Sequence, residues 1–260
     1  MSTAITPSRR PEIEYPDSDG QPMSDNTLQF EWIVTIKEGL EALFRKEPQV
    51  FVGGDLLWYP LKEKPKTRSA PDIMVVFGRP KGYRGSYKQW EEAGIAPQVV
   101  FEILSPGIRQ GDLIRKFQLY DEHGVEEFYL YDPKKSGAPE GWLRRAQGLV
   151  EIDDMNGHVS PRLGIRFEPG EGPNNLKIIG PDGRPFLTYV ELFEDREAER
   201  QRADFERQRA EAESQRAEAE SQRAKAESQR AEAESVRAKA ESERANRTAS
   251  KLREMGVEPD

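Results

Sequence analysis

The sequence predicts an α/β fold: a mixed central sheet flanked by helices and extended by β-hairpins, with one long helix after it. Three observations carry the prediction. Between Asp25 and Pro133 the hydrophobic period runs in the order helix, three strands, helix, strand. Gly141 to Phe186 alternates short apolar runs with turn dipeptides. From Glu191 onward the chain is almost entirely Ala, Glu, Arg, Gln, Ser and Lys, a composition that forms helix but cannot build a core. The expected organisation is a disordered leader at 1–24, rich in Pro, Ser, Asp and Gly, an α/β domain at 25–193, a charged helix at 194–256 and a short end at 257–260.

Each element has its own local reason. Asp25 to Thr27 offer a cap for a helix running to about Lys46, with Trp32, Ile33, Ile36, Leu40 and Leu43 on one face and Glu31, Glu38 and Glu41 solvated opposite. Gln49 to Tyr59 reads as a strand despite Gly53-Gly54. Ile73 to Phe77 and Val99 to Leu104 are apolar runs of strand length. Asp112 is expected to cap a helix that reaches His123 and is stopped by Gly124, and the apolar strand Glu127 to Tyr131 ends at Asp132-Pro133. A helix lying between two strands is the crossover that parallel pairing requires, so the sheet is mixed. Asn156-Gly157 and Asp182-Gly183 mark hairpins at the sheet edge.

The tail is an internal repeat. Gln208-Arg209-Ala210-Glu211-Ala212-Glu213-Ser214 recurs almost unchanged to about Ser242, and a seven-residue period points to a coiled coil. Its best seam, Ala210, Ser214, Ala217, Ser221 and Ala224, offers methyls and hydroxyls where stable coils place Leu or Ile. At ~0.8 kcal/mol per buried methylene, such a seam joins chains weakly. Opposite charges such as Arg209 to Glu213 and Glu213 to Arg216 support the helix itself, at ~0.2 to 0.5 kcal/mol a pair. A lone helix of roughly 60 residues and ~90 Å therefore competes with the coil.

Composition narrows the function. With no cysteine and two isolated histidines, neither a disulfide framework nor a zinc centre is expected. No apolar stretch approaches the ~20 residues of a membrane span, and the first residues lack the apolar core of a secretory signal, so a cytoplasmic protein with no membrane contact is the default. The net charge is −8, about half of it in the tail after Glu191. Bulk electrostatics thus weigh against nucleic-acid binding, and any such contact must be local.

The residues fit for chemistry lie between Pro71 and Pro133. Asp72 stands ahead of one apolar run and Glu102 inside another, so adjacent strands could hold a divalent cation between two carboxylates. Glu102 is costly to bury among Val99, Val100, Phe101, Ile103 and Leu104 without a metal or a partner. On the following helix, Leu113, Phe117 and Tyr120 form the apolar stripe and Lys116 sits at its border, from where it either snorkels outward or points at the carboxylates. Asp55 could approach from the neighbouring strand, with a turn role after Gly53-Gly54 as the alternative. His123 sits where it would interact with a helix C-terminus. The loop Arg79 to Trp90 interleaves Arg79, Lys81, Arg84 and Lys88 with aromatics and glycines, a composition suited to phosphates and bases. An ordinary solvated loop accounts for it as well.

Pro71-Asp72, Glu102-Ile103-Leu104-Ser105-Pro106, Asp112, Lys116, Tyr120, Gly124-Val125-Glu126-Glu127-Phe128 and Tyr131-Asp132-Pro133 together resemble the Uma-type restriction endonuclease family, a branch of the PD-(D/E)XK nuclease superfamily. The resemblance covers roughly Thr27 to Phe193. It implies a restriction-endonuclease-like core, dependence on magnesium with manganese as a substitute, and cleavage of phosphodiester bonds in DNA, often by a homodimer. The superfamily pattern is Asp followed by Glu-x-Lys, but position 104 here is Leu. The family supplies the lysine from the next helix, where Lys116 matches. What this implies for the site is metal held by Asp72, Glu102 and the Ile103 main-chain carbonyl, with Asp72, Glu102 and Lys116 catalytic. The competing reading is a non-catalytic interaction protein on the same fold, its tail a spacer or oligomerisation helix. Ser-His-Asp hydrolysis is poorly served, since neither His123 nor His158 lies near a Gly-x-Ser-x-Gly elbow.

Overall fold

Asn26 starts the first helix by accepting the Gln29 N–H at 2.9 Å with its side chain, and α1 (Thr27–Leu43) follows. It ends three residues before the expected Lys46. Pro48 disfavours helix at the residue before it, and Phe44 turns inward to meet the Phe77 ring edge-on at 5.5 Å. The computed structural model describes residues 13–18, 20, 24–107, 109–170 and 172–254. The chain divides into two units, Met1–Leu192 and Phe193–Asp260.

The first unit is built on a six-stranded sheet of β1 (Val50–Gly54), β3 (Ile73–Phe77), β5 (Val99–Ile103), β6 (Glu127–Tyr131), β7 (Glu140–Arg145) and β8 (Gly148–Glu151), adjacent in that order. Every pairing is antiparallel except β5 with β6, which are joined through α2 (Gln110–Glu122). The mixed sheet and its helical crossover are those the sequence predicts. Strand alternation then sorts the core in two. Val75, Val99, Phe101 and Tyr129 face α1 and its Ile33, Ile36 and Leu40. Met74, Val76, Val100 and Phe128 face α2 and its Leu113, Phe117 and Tyr120. Leu40 is fully buried, so truncating it to Ala would cost about 2–5 kcal/mol.

Three expectations need correction. The run Gln49–Tyr59 is two strands, because Asp55 adopts a left-handed turn (φ 45°) and sends β2 (Trp58–Tyr59) to pair in parallel with β4 (Tyr87–Lys88). Asp112 is not the cap of α2: the cap position is Arg109, whose side chain makes no capping bond, and Asp112 lies in the first turn paired with Arg115. The hairpins after Gly141 are of two kinds. β7 and β8 extend the main sheet, whereas β9 (Arg166–Glu168) and β10 (Lys177–Ile179) form a separate pair whose Phe167 and Ile178 enter the α1-side core.

Most of the leader 1–24 lies outside the described residues, but 13–18 are described and depart from the expected disorder. Tyr15 packs its ring on Tyr59 and Trp90 at 5.3 and 4.9 Å, and the Pro16 carbonyl accepts the Tyr59 hydroxyl at 2.7 Å.

The second unit is the greater part of α3 (Tyr189–Glu254). Thr188 and Glu191 form a reciprocal capping box: the Thr188 N–H donates to the Glu191 carboxylate at 2.8 Å, and the Glu191 N–H to the Thr188 hydroxyl at 3.3 Å. Of the expected charge ladder, Glu243–Arg247 at 3.6 Å is the ion pair formed among the described residues of α3. Holding two exposed long side chains in one geometry costs entropy comparable to the attraction gained. No described helix is long and apolar enough to cross a membrane.

Candidate active site

Asp72 enters the site because of register. Ile73 pairs with Phe101 and Met74 with Val100, and one step further the same register sets Asp72 beside Glu102, both on the α2 face. The Asp72 carboxylate accepts the Ile103 N–H at 2.6 Å. Helix α2 then brings two side chains one turn apart onto Glu102. The Lys116 ammonium lies 2.7 Å from one carboxylate oxygen, and the Tyr120 hydroxyl donates to the other. Lys116 also donates to the Ala70 carbonyl at 3.1 Å, and the Tyr120 hydroxyl meets Ser69 at 3.0 Å. The Glu102 side chain is 2% exposed and that of Lys116 26%, so the lysine straddles the boundary between core and cavity. Asp72, Glu102 and Lys116, predicted from the sequence, are thus brought together, and Lys116 points inward.

A polar cavity of about 740 Å³ opens at this cluster. Asp55 and His123 line it, and the Asp55 N–H donates to the Asp72 carbonyl at 3.1 Å. The Asp55 carboxylate also lies close enough to perturb both Asp72 and Lys116 electrostatically. Residue 55 therefore serves the turn and borders the site at once.

The electrostatics follow from crowding like charges in a half-dry place. Burial first, and the neighbouring Glu102 charge second, push the Asp72 carboxyl up to about 8. Burial works against the Lys116 charge, but the Glu102 and Asp72 carboxylates outweigh it and hold the ammonium above its usual range. Burial and the Glu102 charge raise the Tyr120 phenol well above its ordinary value, so it stays a donor. His123, at the C-cap of α2, is lowered, chiefly by burial.

The donor set fits a hard divalent cation. Among the described residues no group of three or more His, Cys, Asp and Glu converges in the manner of a metal cage. Two carboxylates and a main-chain carbonyl, with the remaining positions left to water, form an all-oxygen set of the kind that hard cations such as magnesium accept. The Ile103 carbonyl accepts the Gln29 amide at 3.0 Å, and a carbonyl oxygen has a second lone pair to give.

Sequence reasoning missed Gln29, Ser69 and the polar role of Tyr120. Gln29 is tied back to Asp25, whose N–H donates to its side chain at 2.8 Å, and Ser105 donates its hydroxyl to the Asp25 carboxylate. The start of α1 and the end of β5 are thereby fixed to each other. The spacing of Lys116 and Tyr120, four apart on one helix face, was the available signal for the tyrosine.

The four cations of the 79–90 loop are not brought to this cavity. Arg79 and Arg84 each reach Glu92 at 2.7 Å, Lys81 reaches Glu41 at 3.0 Å, and Lys88 lies 4.0 Å from Glu91. Arg84 also covers the Phe51 ring at 4.0 Å. Their charge is used inside the protein, and Glu92 is lowered by its hydrogen bond to Arg84 first, with burial opposing.

The mixed sheet thus sets two carboxylates and a helix-borne lysine at one polar cavity, the arrangement expected of a nuclease from the sequence resemblance. The chain belongs to the Uma2 family, described as "Putative restriction endonuclease", whose model matches residues 8–152. Among solved structures it is similar to a "putative nuclease belonging to DUF820" from Anabaena variabilis ATCC 29413, at 17% identity and a TM-score of 0.38, over 52% of this chain and 72% of that one. No curated protein matches.

Proposed function

We propose that this protein is a magnesium-dependent endonuclease that hydrolyses phosphodiester bonds in DNA. The observation that carries the reading is the meeting of the Lys116 ammonium with Glu102 beside Asp72, at the end of adjacent strands and open to a cavity. Asp72, Glu102 and the Ile103 carbonyl would hold the cation. When bound, it supplies Lewis acidity at the phosphate and an acidified water for attack. The chain's own groups account for the rest. Lys116, held protonated, offers a fixed positive charge to the phosphoryl oxygens and orients the water instead of acting as a base. Tyr120 fixes one Glu102 oxygen so that the other stays with Lys116. Ile103 positions Asp72 through its N–H. Membership of the family supports the nuclease class; a DNA substrate and magnesium are proposed from the chemistry of the site.

The test is cleavage of supercoiled plasmid by the purified full-length protein. Nicked or linear product is expected with magnesium or manganese, none with EDTA, and none from Glu102→Gln. Equal cleavage by Glu102→Gln would assign the activity to a contaminant or another site.

A further inference from the structure

The stretch Lys62–Arg68, between β2 and β3, carries Lys62, Lys64, Lys66 and Arg68 against a single carboxylate, Glu63. In a chain of net charge −8 this is a concentrated positive stretch. Its placement differs from that of the 79–90 loop in two respects. Lys66, Thr67 and Arg68 line the cavity of the Asp72–Glu102–Lys116 cluster, and Arg115 of α2 lines it too. Lys64 is close enough to His123, also on the cavity wall, to lower its basicity. And whereas each cation of the other loop has an acidic partner, Lys62, Lys64 and Lys66 form no ion pair among the described residues and are exposed.

The segment is also held in shape. Trp58 and Ser69 exchange both backbone hydrogen bonds at its base, at 2.7 and 3.2 Å, and the Thr67 N–H closes a turn on the Lys64 carbonyl at 2.9 Å. At its tip Glu63 adopts a left-handed φ of 69°, unusual for a residue with a side chain, and its N–H donates to the Tyr15 hydroxyl at 2.9 Å. Tyr15 is itself clamped between Tyr59 and Trp90. A strained tip buttressed from outside presents its lysines at low entropic cost, which favours binding over a freely moving loop.

We infer that the segment Lys62–Arg68 is the surface along which a nucleic-acid strand enters the site, with Lys62, Lys64 and Lys66 contacting successive backbone phosphates and Arg68 and Arg115 flanking the one at the cavity. The inference rests on the nuclease reading above and adds to it the location of the substrate backbone. Unpaired lysines at the rim of an acidic cavity solve the problem that cavity creates: they offset the repulsion its carboxylates exert on a polyanion. A strand is the fitting ligand because the cations are spread along a chain segment instead of converging on one point.

The experiment is fluorescence anisotropy of labelled duplex and single-stranded oligonucleotides with the full-length protein in EDTA, which prevents cleavage, over about 50 to 200 mM salt. Lys62→Gln/Lys64→Gln/Lys66→Gln is expected to weaken binding at least tenfold and to make the log–log salt slope shallower by about 2 to 3. Lys81→Gln/Lys88→Gln is expected to stay within about twofold of the wild type, and equal thermal midpoints would confirm that both variants fold. If the wild type binds and, with magnesium restored, cleaves, yet the triple variant binds equally well, this inference fails and the nuclease reading stands. Equal losses in the two variants would also overturn it, since net charge and not this surface would then be responsible. A wild type that binds neither oligonucleotide overturns it together with that reading.

Discussion

Two glutamates are buried in neighbouring strands, Glu102 in β5 and Glu127 in β6, at 1% and 2% exposure, and they have opposite meanings. Glu127 lies on the α1 side. The Ser160 hydroxyl, the Tyr129 hydroxyl at 2.9 Å and the Arg162 N–H at 2.6 Å all donate to it. Burial raises its pKa and those donors hold the rise back. It is a closed junction tying the 160–162 turn to the sheet. Glu102, on the α2 side, has a carboxylate neighbour and an ammonium, and a cavity in front of it. A buried carboxylate therefore does not mark a functional site by its burial. What sets Glu102 apart is a like charge beside it and an opening toward solvent, the surroundings in which functional carboxylates cluster, whereas Glu127 is closed in by neutral donors.

The largest effect that bears on this contrast is catalytic. Lys116→Met should lower cleavage at least about a hundredfold, the scale of losing one preorganised charge at a phosphate. Glu127→Gln should leave the rate per folded molecule unchanged while lowering the denaturation midpoint. Comparable rate losses in the two would erase the distinction.

Next comes the pH dependence of stability without metal. The folded-state value of Asp72 is about 8 against an ordinary 3.8, so between those values the folded protein keeps a proton that the unfolded chain releases. Stability from this group is fully present below about pH 4 and lost as pH rises toward 8. Asp72→Asn should remove that loss, so its urea midpoint should gain on the wild type steadily from pH 5 to 8. A constant difference would show that Asp72 is charged throughout.

Tyr120→Phe should cost about 1–3 kcal/mol by leaving a buried Glu102 oxygen without its donor. It should also reduce cleavage, less than Lys116→Met does, since the phenol only positions the carboxylate. The smallest effect concerns α3: removing the residues after Arg200 should leave the thermal midpoint of the first unit and its cleavage rate unchanged. The excised helix has only Phe205, Val236 and Leu252 as large apolar side chains among its described residues. A truncation that abolished cleavage would give the tail a functional role.

The sequence showed the parts of this site that have a local signature. A carboxylate inside Val99–Leu104 is visible because it breaks an apolar run, and Lys116 is visible because it borders a helical stripe. The mixed sheet was legible because a helix separates two apolar runs, and the Thr188-x-x-Glu191 box was equally legible in the chain though the expected helix began later. Partners distant in sequence left no such trace. Gln29 reaches a carbonyl 74 positions away, and Glu41 and Glu92 neutralise cations that look free when the loop is read alone. The same blindness affected the leader, where a single aromatic, Tyr15, overrides a disorder-like composition by finding two rings to pack on.

The most direct test of the central contrast is metal-linked stability. The thermal midpoints of the wild type, Glu102→Gln and Glu127→Gln should be followed against magnesium concentration at about pH 8, where Asp72 can ionise. The wild type and Glu127→Gln should rise together with added magnesium, and Glu102→Gln should stay flat. Flat curves for all three, or a Glu102→Gln curve that rises like the wild type, would contradict the assignment of Asp72 and Glu102 as a cation site.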